Sequence, residues 1–167
     1  DHYLTVTPER YFSAEYAQRE WNALWTKVWT CAGRVADIAQ IGSWFKYDLG
    51  SESFIVVRSS ATQIDAFYNV CTHRGNRIVR DDFGTSPHFT CPFHGWQWKP
   101  NGQINLITDA TAFKPEALRG SLNLKKVRCE TWAGFIFINM DENAEPLLEF
   151  LSDLPVVMSS YRMEDMH

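Results

Sequence analysis

The fold is decided by a stretch of 26 residues at positions 71–96, which reads CTHRGNRIVRDDFGTSPHFTCPFHGW. It begins with CTHRG at 71–75 and ends with CPFHGW at 91–96. Each of these segments holds one cysteine and one histidine, and 17 residues separate His73 from Cys91. The segments can therefore form the tips of two hairpin loops that face each other. This arrangement would offer two thiolates and two imidazoles to one inorganic centre.

Two kinds of centre accept this set of ligands. One tetrahedral zinc ion can bind all four, or a [2Fe–2S] cluster can bind both cysteines at one iron and both histidines at the other. Structural zinc sites usually pair cysteine with cysteine and histidine with histidine. Here each segment is mixed, Cys-x-His and then Cys-x-x-His, so each loop would give one ligand to each iron. A glycine follows closely after each histidine and allows a loop backbone to approach bridging sulfides.

The pattern Cys-x-His-x17-Cys-x2-His, with Arg-Gly after the first histidine and Gly-Trp after the second, resembles a Rieske [2Fe–2S] domain. The resemblance implies that one iron is bound by Cys71 and Cys91 and the other by His73 and His94. It also implies four cluster-contacting residues. We expect Arg74 to be a cation near the cluster and Trp96 to shield it from water, with Gly75 and Gly95 bringing backbone N–H groups close.

Two differences separate this chain from the respiratory-chain Rieske proteins. Asn76 and Phe93 stand where those proteins carry a pair of additional cysteines that form a disulfide. Trp96 and Trp98 stand where those proteins have a serine and a tyrosine that hydrogen-bond the cluster and raise its potential. We therefore expect a reduction potential toward the low end of the Rieske range.

The forms His-Arg-Gly and Cys-Pro-Phe-His-Gly-Trp resemble instead the large (α) subunits of Rieske non-haem iron oxygenases, which hydroxylate aromatic or other apolar substrates. The resemblance implies an electron-transfer domain supplied by a ferredoxin or reductase, with NAD(P)H as the ultimate donor. His94 would face a carboxylate at a mononuclear Fe(II) in a neighbouring subunit of a homotrimer or an α3β3 assembly. The only histidine after His94 is His167. We therefore expect no catalytic residue here, and the Fe(II) site only in a catalytic domain absent from this chain.

A stand-alone Rieske ferredoxin, an electron carrier, is the alternative function, and a zinc-stapled interaction module is a third. Rieske ferredoxins are usually shorter and lack a tryptophan-rich leading helix. The segments at 1–33 and 141–167 argue against that alternative.

The sequence predicts a mainly β fold of small antiparallel sheets with two cluster-binding hairpin loops, flanked by an N-terminal helix and a C-terminal helical linker. Residues 1–33 are expected to be a helical segment that packs on the absent catalytic domain, 34–143 the Rieske domain, and 144–167 the start of the linker. The helical spacing of apolar residues begins after Ser13, a plausible N-cap, and Gly33 is its predicted stop. Period-two runs and turn residues predict strands at 44–49, 54–58, 63–70, 88–91, 96–99, 103–106, 122–129 and 134–139.

The turn Asn101-Gly102 predicts a hairpin, because both residues tolerate positive φ. Residues 107–120 are expected to form a long loop or a loop with one helical turn. The apolar spacing from Pro146 to Leu154 predicts a closing amphipathic helix.

Composition limits the remaining possibilities. The chain of 167 residues is 45% hydrophobic and 22% charged, which is typical of a globular domain and not of a disordered chain. Its net charge of -4 and the lack of a basic stripe argue against a nucleic-acid partner. No apolar run approaches the roughly 20 residues of a membrane span, and no signal-peptide pattern is visible, so no membrane association is expected. The chain starts at Asp1, from which we expect a trimmed beginning.

The four cysteines suggest a reducing compartment and a cytoplasmic location, because a chain of this size folds without disulfides. Cys31 and Cys129 are expected to be small buried thiols. Five apolar residues in the two flanking segments are expected to be partly exposed, since a catalytic domain would cover them: Trp21, Trp25, Leu147, Phe150 and Leu151.

Overall fold

The computed structural model describes residues 7–118 and 120–165. Within these ranges the chain forms two antiparallel sheets and a few short helices, which confirms the predicted mainly β fold. The larger sheet has seven strands in the order β1-β10-β9-β4-β3-β2-β5, and the smaller has three in the order β6-β7-β8. The strands are β1 Thr30–Arg34, β2 Ser43–Leu49, β3 Glu52–Arg58, β4 Ile64–Tyr68, β5 Phe83–Thr85, β6 Phe89–Thr90, β7 Gln97–Trp98, β8 Ile104–Leu106, β9 Lys126–Trp132 and β10 Phe135–Asn139.

Strand β3 separates two hydrophobic cores. Successive side chains of a strand point to opposite faces of its sheet. Phe54 and Val56 lie in one core, whereas Ile55 and Val57 lie in the other, and all four are fully buried. This explains why β3 is a continuous apolar run rather than an alternating one. The core on the side of Ile55 and Val57 also contains the two candidate ligand cysteines.

Residues 69–125, which we call the loop lobe, are inserted between two neighbouring strands of the larger sheet. The chain leaves the sheet at the end of β4 and returns in β9, and these strands pair through Ala66 with Val127 and Phe67 with Lys126. The lobe contains the three-stranded sheet and also β5, which pairs with the edge of β2. Both candidate ligand segments therefore lie in one insertion supported by a larger sheet.

The Asn101-Gly102 turn joins β7 to β8, as predicted. Gly102 has φ +79° and donates its N–H to the carbonyl of Lys99 at 2.9 Å. A Cβ at Gly102 would collide with the buried Phe67 ring. The turn thus needs glycine both for its backbone conformation and for its close contact with β4.

The N-terminal helical segment is shorter than predicted. Helix α1 (Glu9–Phe12) is followed by α2 (Ala14–Glu20), which continues as a π-helical turn at Trp21–Trp25. Ser13 caps α2, because its Oγ accepts the Tyr16 N–H at 3.2 Å. Gly33 is not a helix stop; it lies inside β1, where a Cβ would come within 2.8 Å of the Phe45 ring. Strand β1 forms by pairing with β10, a contact that local periodicity does not show.

The C-terminal segment contains two short helices instead of the single one predicted, α3 (Leu147–Leu151) and α4 (Leu154–Met158). They are separated at Ser152, which has φ +50°. Single 3₁₀ turns occur at Val35–Ile38, Ala110–Ala112, Pro115–Leu118, Ser159–Tyr161 and Met163–Asp165. Two of these turns lie in the 107–120 stretch, where one turn at most was expected.

The predicted exposure of the flanking segments is wrong for Leu147, which is completely buried. Its N–H donates to Glu130 Oε2 on β9 at 2.9 Å, so the first turn of α3 is fixed on the sheet. Trp25 is 39% exposed and Phe150 is 41% exposed, as expected. Trp21 and Leu151 are half-buried.

The buried-thiol prediction is wrong for Cys31, which is exposed on the edge strand β1. Cys129 is half-buried on β9, and burial raises the pKa of its thiol to about 12, with smaller contributions from the carboxylates of Asp65 and Glu130. No helix in the described part of the chain has the length and apolar character that a membrane crossing would require.

Candidate metal centre

The first ligand segment forms a tight loop that is closed by backbone hydrogen bonds. The Cys71 N–H donates to the carbonyl of Asn76 at 2.8 Å, and the Gly75 N–H donates to the carbonyl of Cys71 at 2.9 Å. Gly75 has φ +69°, a conformation that disfavours side chains. The loop therefore reverses direction within five residues and brings Cys71 and His73 to its inner side.

The second ligand segment repeats the same construction. The Cys91 N–H donates to the carbonyl of Trp96 at 2.8 Å, and the Gly95 N–H donates to the carbonyl of Cys91 at 3.0 Å. Gly95 has φ +74°. The two loops thus share one frame, with glycine four residues after the cysteine. The histidine takes a different position in each frame, third in the first loop and fourth in the second.

The two cysteines are both buried, and their thiols lie close enough to influence each other's pKa. Burial and the neighbouring thiol raise the pKa of Cys71, although the N–H groups of His73 and Arg74 oppose the rise. Burial also acts to raise the pKa of Cys91. N–H donors in its own loop, together with the Cys71 and Asn76 side chains, outweigh burial and lower that pKa. Thiolates are the metal-binding form of cysteine, and each loop directs backbone N–H groups at its sulfur.

The two histidine rings face each other, with ring centroids 4.7 Å apart and an angle of 59° between the planes. Burial lowers the pKa of His73, and the nearby His94 and Arg74 lower it further. A neutral imidazole is the form that binds metal. His73 Nδ1 is buried and has no hydrogen-bond partner among the described residues. This unpartnered nitrogen fits a metal ligand.

Aromatic side chains pack against the two histidine rings. Trp96 is 3% exposed and stacks on His73 at 4.7 Å, with 6° between the ring planes. Phe113 meets the His73 ring edge-on at 5.6 Å. Phe93 contacts the His94 ring at 3.8 Å and is itself 60% exposed. Both histidines are half-buried, but Trp96 beside His73 is buried in the core, whereas Phe93 beside His94 is exposed.

Asn69 supports the first loop from below. It is fully buried, and its Oδ1 accepts the N–H groups of Ile78 and Val79 at 3.0 and 2.9 Å. Its Nδ2 donates to Val79 O at 2.8 Å and to Ser53 Oγ at 3.1 Å. All the usual hydrogen bonds of the amide are made. Asn69 thus joins the chain before the first loop to the chain after it, and fastens both to β3.

Across the described ranges 7–118 and 120–165, no three histidine, cysteine, aspartate or glutamate side chains are placed around one point as ligands of a single ion. A two-iron cluster requires only two protein ligands on each iron, as in the Rieske arrangement. The two loops offer two cysteine and two histidine side chains, and these donor types suit a mixed thiolate–imidazole iron–sulfur cluster.

Residues 28–128 match the family model described as the Rieske [2Fe-2S] domain. The chain belongs to the Rieske [2Fe-2S] domain family. Its cofactor is accordingly a Rieske-type [2Fe–2S] cluster.

Similar proteins are subunits of Rieske oxygenases. The glycine betaine monooxygenase oxygenase subunit of Pseudomonas aeruginosa is 28% identical over 165 residues, which cover 99% of this chain and 38% of the relative. The benzene 1,2-dioxygenase α subunit of Pseudomonas putida is 32% identical over 164 residues, which cover 95% of this chain and 35% of the relative. The chain thus spans less than two-fifths of the length of these curated relatives.

Solved structures agree with the sequence relatives. A quaternary ammonium Rieske monooxygenase superposes with a TM-score of 0.85 at 26% identity, covering 94% of this chain and 43% of that chain. A variant of naphthalene 1,2-dioxygenase bound to phenanthrene superposes with a TM-score of 0.80 at 31% identity, covering 87% of this chain and 33% of that chain. The fold and the oxygenase relationship therefore agree.

Of the four predicted ligand residues, the structure places the rings of His73 and His94 against each other and the thiols of Cys71 and Cys91 near each other. Of the four residues expected to contact the cluster, Trp96 is buried, Gly95 is half-buried, and Arg74 and Gly75 are exposed at the tip of the first loop.

Two residues of the site were missed by sequence reasoning. Asn76 donates from Nδ2 to Cys91 Sγ at 3.8 Å, so it links the two loops. Phe113 packs on His73 from a stretch without apolar periodicity. The sequence carries no local signal for either contact.

Proposed function

We propose that Cys71 and Cys91 bind one iron of the cluster and that His73 and His94 bind the other. Three features support this assignment: the matched loop frames, the adjacent buried thiols and the unpartnered Nδ1 of His73. Arg74 would be the cation near the cluster, and the tight turns at Gly75 and Gly95 would bring loop N–H groups close to it. When bound, a cluster of this class accepts and donates single electrons.

We propose further that the chain is the electron-transfer part of a Rieske oxygenase α subunit. The observation that carries this proposal is the alignment of nearly the whole chain, including both flanking segments, with oxygenase subunits. A stand-alone electron carrier would not need sequence similarity to oxygenase subunits outside the Rieske domain at residues 28–128. In this proposal a ferredoxin or reductase delivers electrons that derive from NAD(P)H. The acceptor is a mononuclear Fe(II) in a catalytic domain that these residues do not include.

The residues of this chain define where electrons leave. The buried Trp96 and the half-buried Phe113 pack on the His73 ring, and His73 itself is half-buried. His94 is half-buried beside the exposed ring of Phe93, so this side can meet another protein surface. We propose that His94 faces the acceptor iron of a neighbouring subunit in a homotrimer or an α3β3 assembly. The name of one solved relative refers to inter-subunit electron transfer, which supports this arrangement.

The proposed reaction is O2-dependent hydroxylation. The relatives divide between an aromatic hydrocarbon, benzene, and quaternary ammonium compounds, glycine betaine and carnitine. The sequence predicts hydroxylation of an aromatic ring. Aromatic and quaternary ammonium compounds should both be tested as substrates. We also propose a cytoplasmic location, which the four free cysteines support.

The cluster assignment is tested by metal analysis and by electron paramagnetic resonance of the purified protein after reduction. Iron and acid-labile sulfide should be present at about two each per chain, with a Rieske-type signal. Stoichiometric zinc without visible absorbance would refute the assignment. Cys71→Ser and His73→Ala should each lose the signal, whereas Cys31→Ser, which changes an exposed cysteine, should keep it.

The oxygenase proposal is tested on the full-length protein by stopped-flow absorbance. We reduce the cluster, mix it with O2, and compare reoxidation with and without benzene, carnitine or glycine betaine. Reoxidation that is faster with one substrate and forms a hydroxylated product supports the proposal. A cluster that reoxidises at the same rate under all conditions, and only through an added acceptor protein, identifies a carrier.

A further inference from the structure

The two candidate ligand histidines have different surroundings. The half-buried His73 ring packs against Trp96, which is parallel to it, and against Phe113, which meets it at 80°. Phe113 also meets the Trp96 ring at 5.7 Å and 75°, so the three rings form one closed contact. The His94 ring has the exposed Phe93 as its neighbour and no comparable packing among the described residues.

The segment that carries Phe113 is fastened to both ligand loops. We call residues 107–118 and 120–122 the cover segment. At its end, the Leu122 carbonyl accepts the hydroxyl of Thr72 at 3.0 Å and the Nε1–H of Trp98 at 2.9 Å. At its start, Thr108 is so close to the second loop that a Cβ at Gly95 would lie 3.0 Å from its Oγ1.

The cover segment is also packed against the core that contains the candidate ligand cysteines. Its contributions to that core are Ile107, Phe113, Leu118 and Leu122. The position of Phe113 is therefore fixed from both ends and from below. A phenyl ring held in this way can restrict the rotation of the neighbouring His73 imidazole.

The choice of tryptophan at position 96 carries a free-energy penalty. Its Nε1 is buried without a hydrogen-bond partner among the described residues. An indole N–H is a donor only, and leaving it unpaired in the interior is destabilising. Phenylalanine would fill part of the space without that penalty. The indole at this position therefore points to a role toward the cluster site, through its large stacking surface on His73 or its N–H.

We propose that Trp96 and Phe113 are positioning residues that clamp the plane of the His73 ring, making the two histidine ligands inequivalent. This inference rests on the proposed role of His73 as an iron ligand. Partners of a ligand set its orientation, and solvent exposure and hydrogen bonding set the potential of an iron–sulfur cluster. Removing the clamp should therefore change the electronic properties of the cluster at the His73 nitrogen.

The first test replaces Phe113 in the protein with its cluster bound, as Phe113→Ala and Phe113→Leu. Loss of the ring exposes more of the half-buried His73 to water, which favours the more negative reduced state, so the reduction potential should rise, more for alanine than for leucine. Release of iron to a chelator should be about two- to tenfold faster, the factor that corresponds to one edge-to-face aromatic contact. Phe83→Ala is the matched control, because Phe83 is exposed on β5 and outside these contacts; it should change neither value.

The second test measures nitrogen couplings by electron–nuclear double resonance on the reduced cluster, after ¹⁵N-histidine labelling. Wild-type protein should show two imidazole nitrogens. Trp96→Phe and Phe113→Leu should each shift one coupling and leave the other unchanged, a selectivity that general loss of stability does not produce. Phe93→Leu, which removes the ring beside His94, should not shift the same coupling.

The outcomes separate the clamp from the ligand assignment. If both Phe113 variants match Phe83→Ala in potential, coupling and chelation rate, the clamp is refuted while the ligands stand. A fall in potential would refute it equally. If Phe113→Ala does not retain a cluster, the potential, coupling and chelation rate of Phe113→Leu alone decide whether the clamp stands. If wild-type protein shows no imidazole coupling, the assignment of His73 is wrong and the clamp is refuted with it.

Discussion

Replacing Asn69 with alanine should loosen the first ligand loop and destabilise the whole protein. Asn69 has no exposed surface and makes four side-chain hydrogen bonds. Alanine would remove all four and would leave the N–H groups of Ile78 and Val79 without their acceptor. These groups lie in the chain that follows the first loop, so the loop would lose its main connection to β3.

The size of the effect follows from the burial of each bond. The bonds to Ile78 N–H and Ser53 Oγ are buried, and each contributes about 1 kcal/mol, whereas the two to Val79 are partly buried and contribute about half as much. The sum is about 3 kcal/mol. For a chain of this length, that corresponds to a decrease in Tm of roughly 6–12 °C.

The measurement is urea denaturation of the cluster-bound protein under anaerobic conditions, followed by far-ultraviolet circular dichroism. Bleaching of visible absorbance is recorded in parallel, and it should begin at a lower urea concentration than in wild-type protein. Asn105→Ala is the control, because Asn105 is exposed and its single contact, with Gln97, is 3.5 Å long; its effect should stay within about 0.5 kcal/mol. If Asn69→Ala destabilises no more than this control, Asn69 does not hold the loop.

Four further predictions concern other parts of the molecule. Iodoacetamide should label Cys31 and leave Cys129 unlabelled up to pH 10, because the raised pKa of Cys129 keeps its thiol protonated; mass spectrometry shows which cysteine reacted. The same raised pKa means that, as the pH rises, the Cys129 thiol loses its proton in the unfolded chain before it does so in the folded protein. The contribution of Cys129 to stability should therefore decrease above about pH 8.5. Denaturation of the wild-type protein and of Cys129→Ala at pH 7 and 9.5 tests this, and an equal pH dependence of stability in the two proteins contradicts it. Gly102→Ala should destabilise by about 2 kcal/mol or more, since it combines positive φ with a collision against Phe67, and urea midpoints compared with those of an exposed alanine variant measure the loss. His94→Cys should keep a cluster whose reduction potential is lower than that of the wild-type protein, because a thiolate adds negative charge at the iron. The potential of the wild-type cluster should itself lie well below about +300 mV. Redox titration of both proteins tests these expectations: a variant potential above the wild-type value contradicts the first, and a wild-type value near about +300 mV contradicts the second.

Local sequence patterns predicted the elements that local chemistry determines. The Asn101-Gly102 turn and the alternating run of β2 needed no information from distant residues, and both were predicted correctly. The cap at Ser13 depends on a neighbour three residues away and was also correct. The Rieske family was recognised from equally local information, because the spacing of the cysteines and histidines at 71–94 reflects the chemistry of one centre.

The failures have a common physical cause, which is pairing or packing between distant parts of the chain. Strand β1 consists mostly of small residues, and its partner β10 lies about 100 residues later in the chain. The sequence of β1 therefore shows no alternation of apolar and polar residues that would predict a strand. Strand β5 has three residues and exists only as an addition to the edge of β2. The strand predicted at 122–129 was placed too early, because β9 starts only at Lys126. Leu122 and Leu124, which precede it, pack against the core that contains the two candidate ligand cysteines. Phe113 belongs to the same class, since only the folded cover segment brings it to His73.

The insertion of the loop lobe between two paired strands makes it an exchangeable cassette. Its entrance at the end of β4 and its exit at the start of β9 are on hydrogen-bonded neighbours, so the two junctions lie about one strand spacing, ~4.8 Å, apart. A lobe with another redox potential could therefore be spliced in at these two points without altering the order of the remaining strands. The graft has one condition, which is set by β5. It must supply an edge strand that pairs with Ser43, Trp44 and Phe45 of β2, or the host sheet is left with an open edge prone to aggregation.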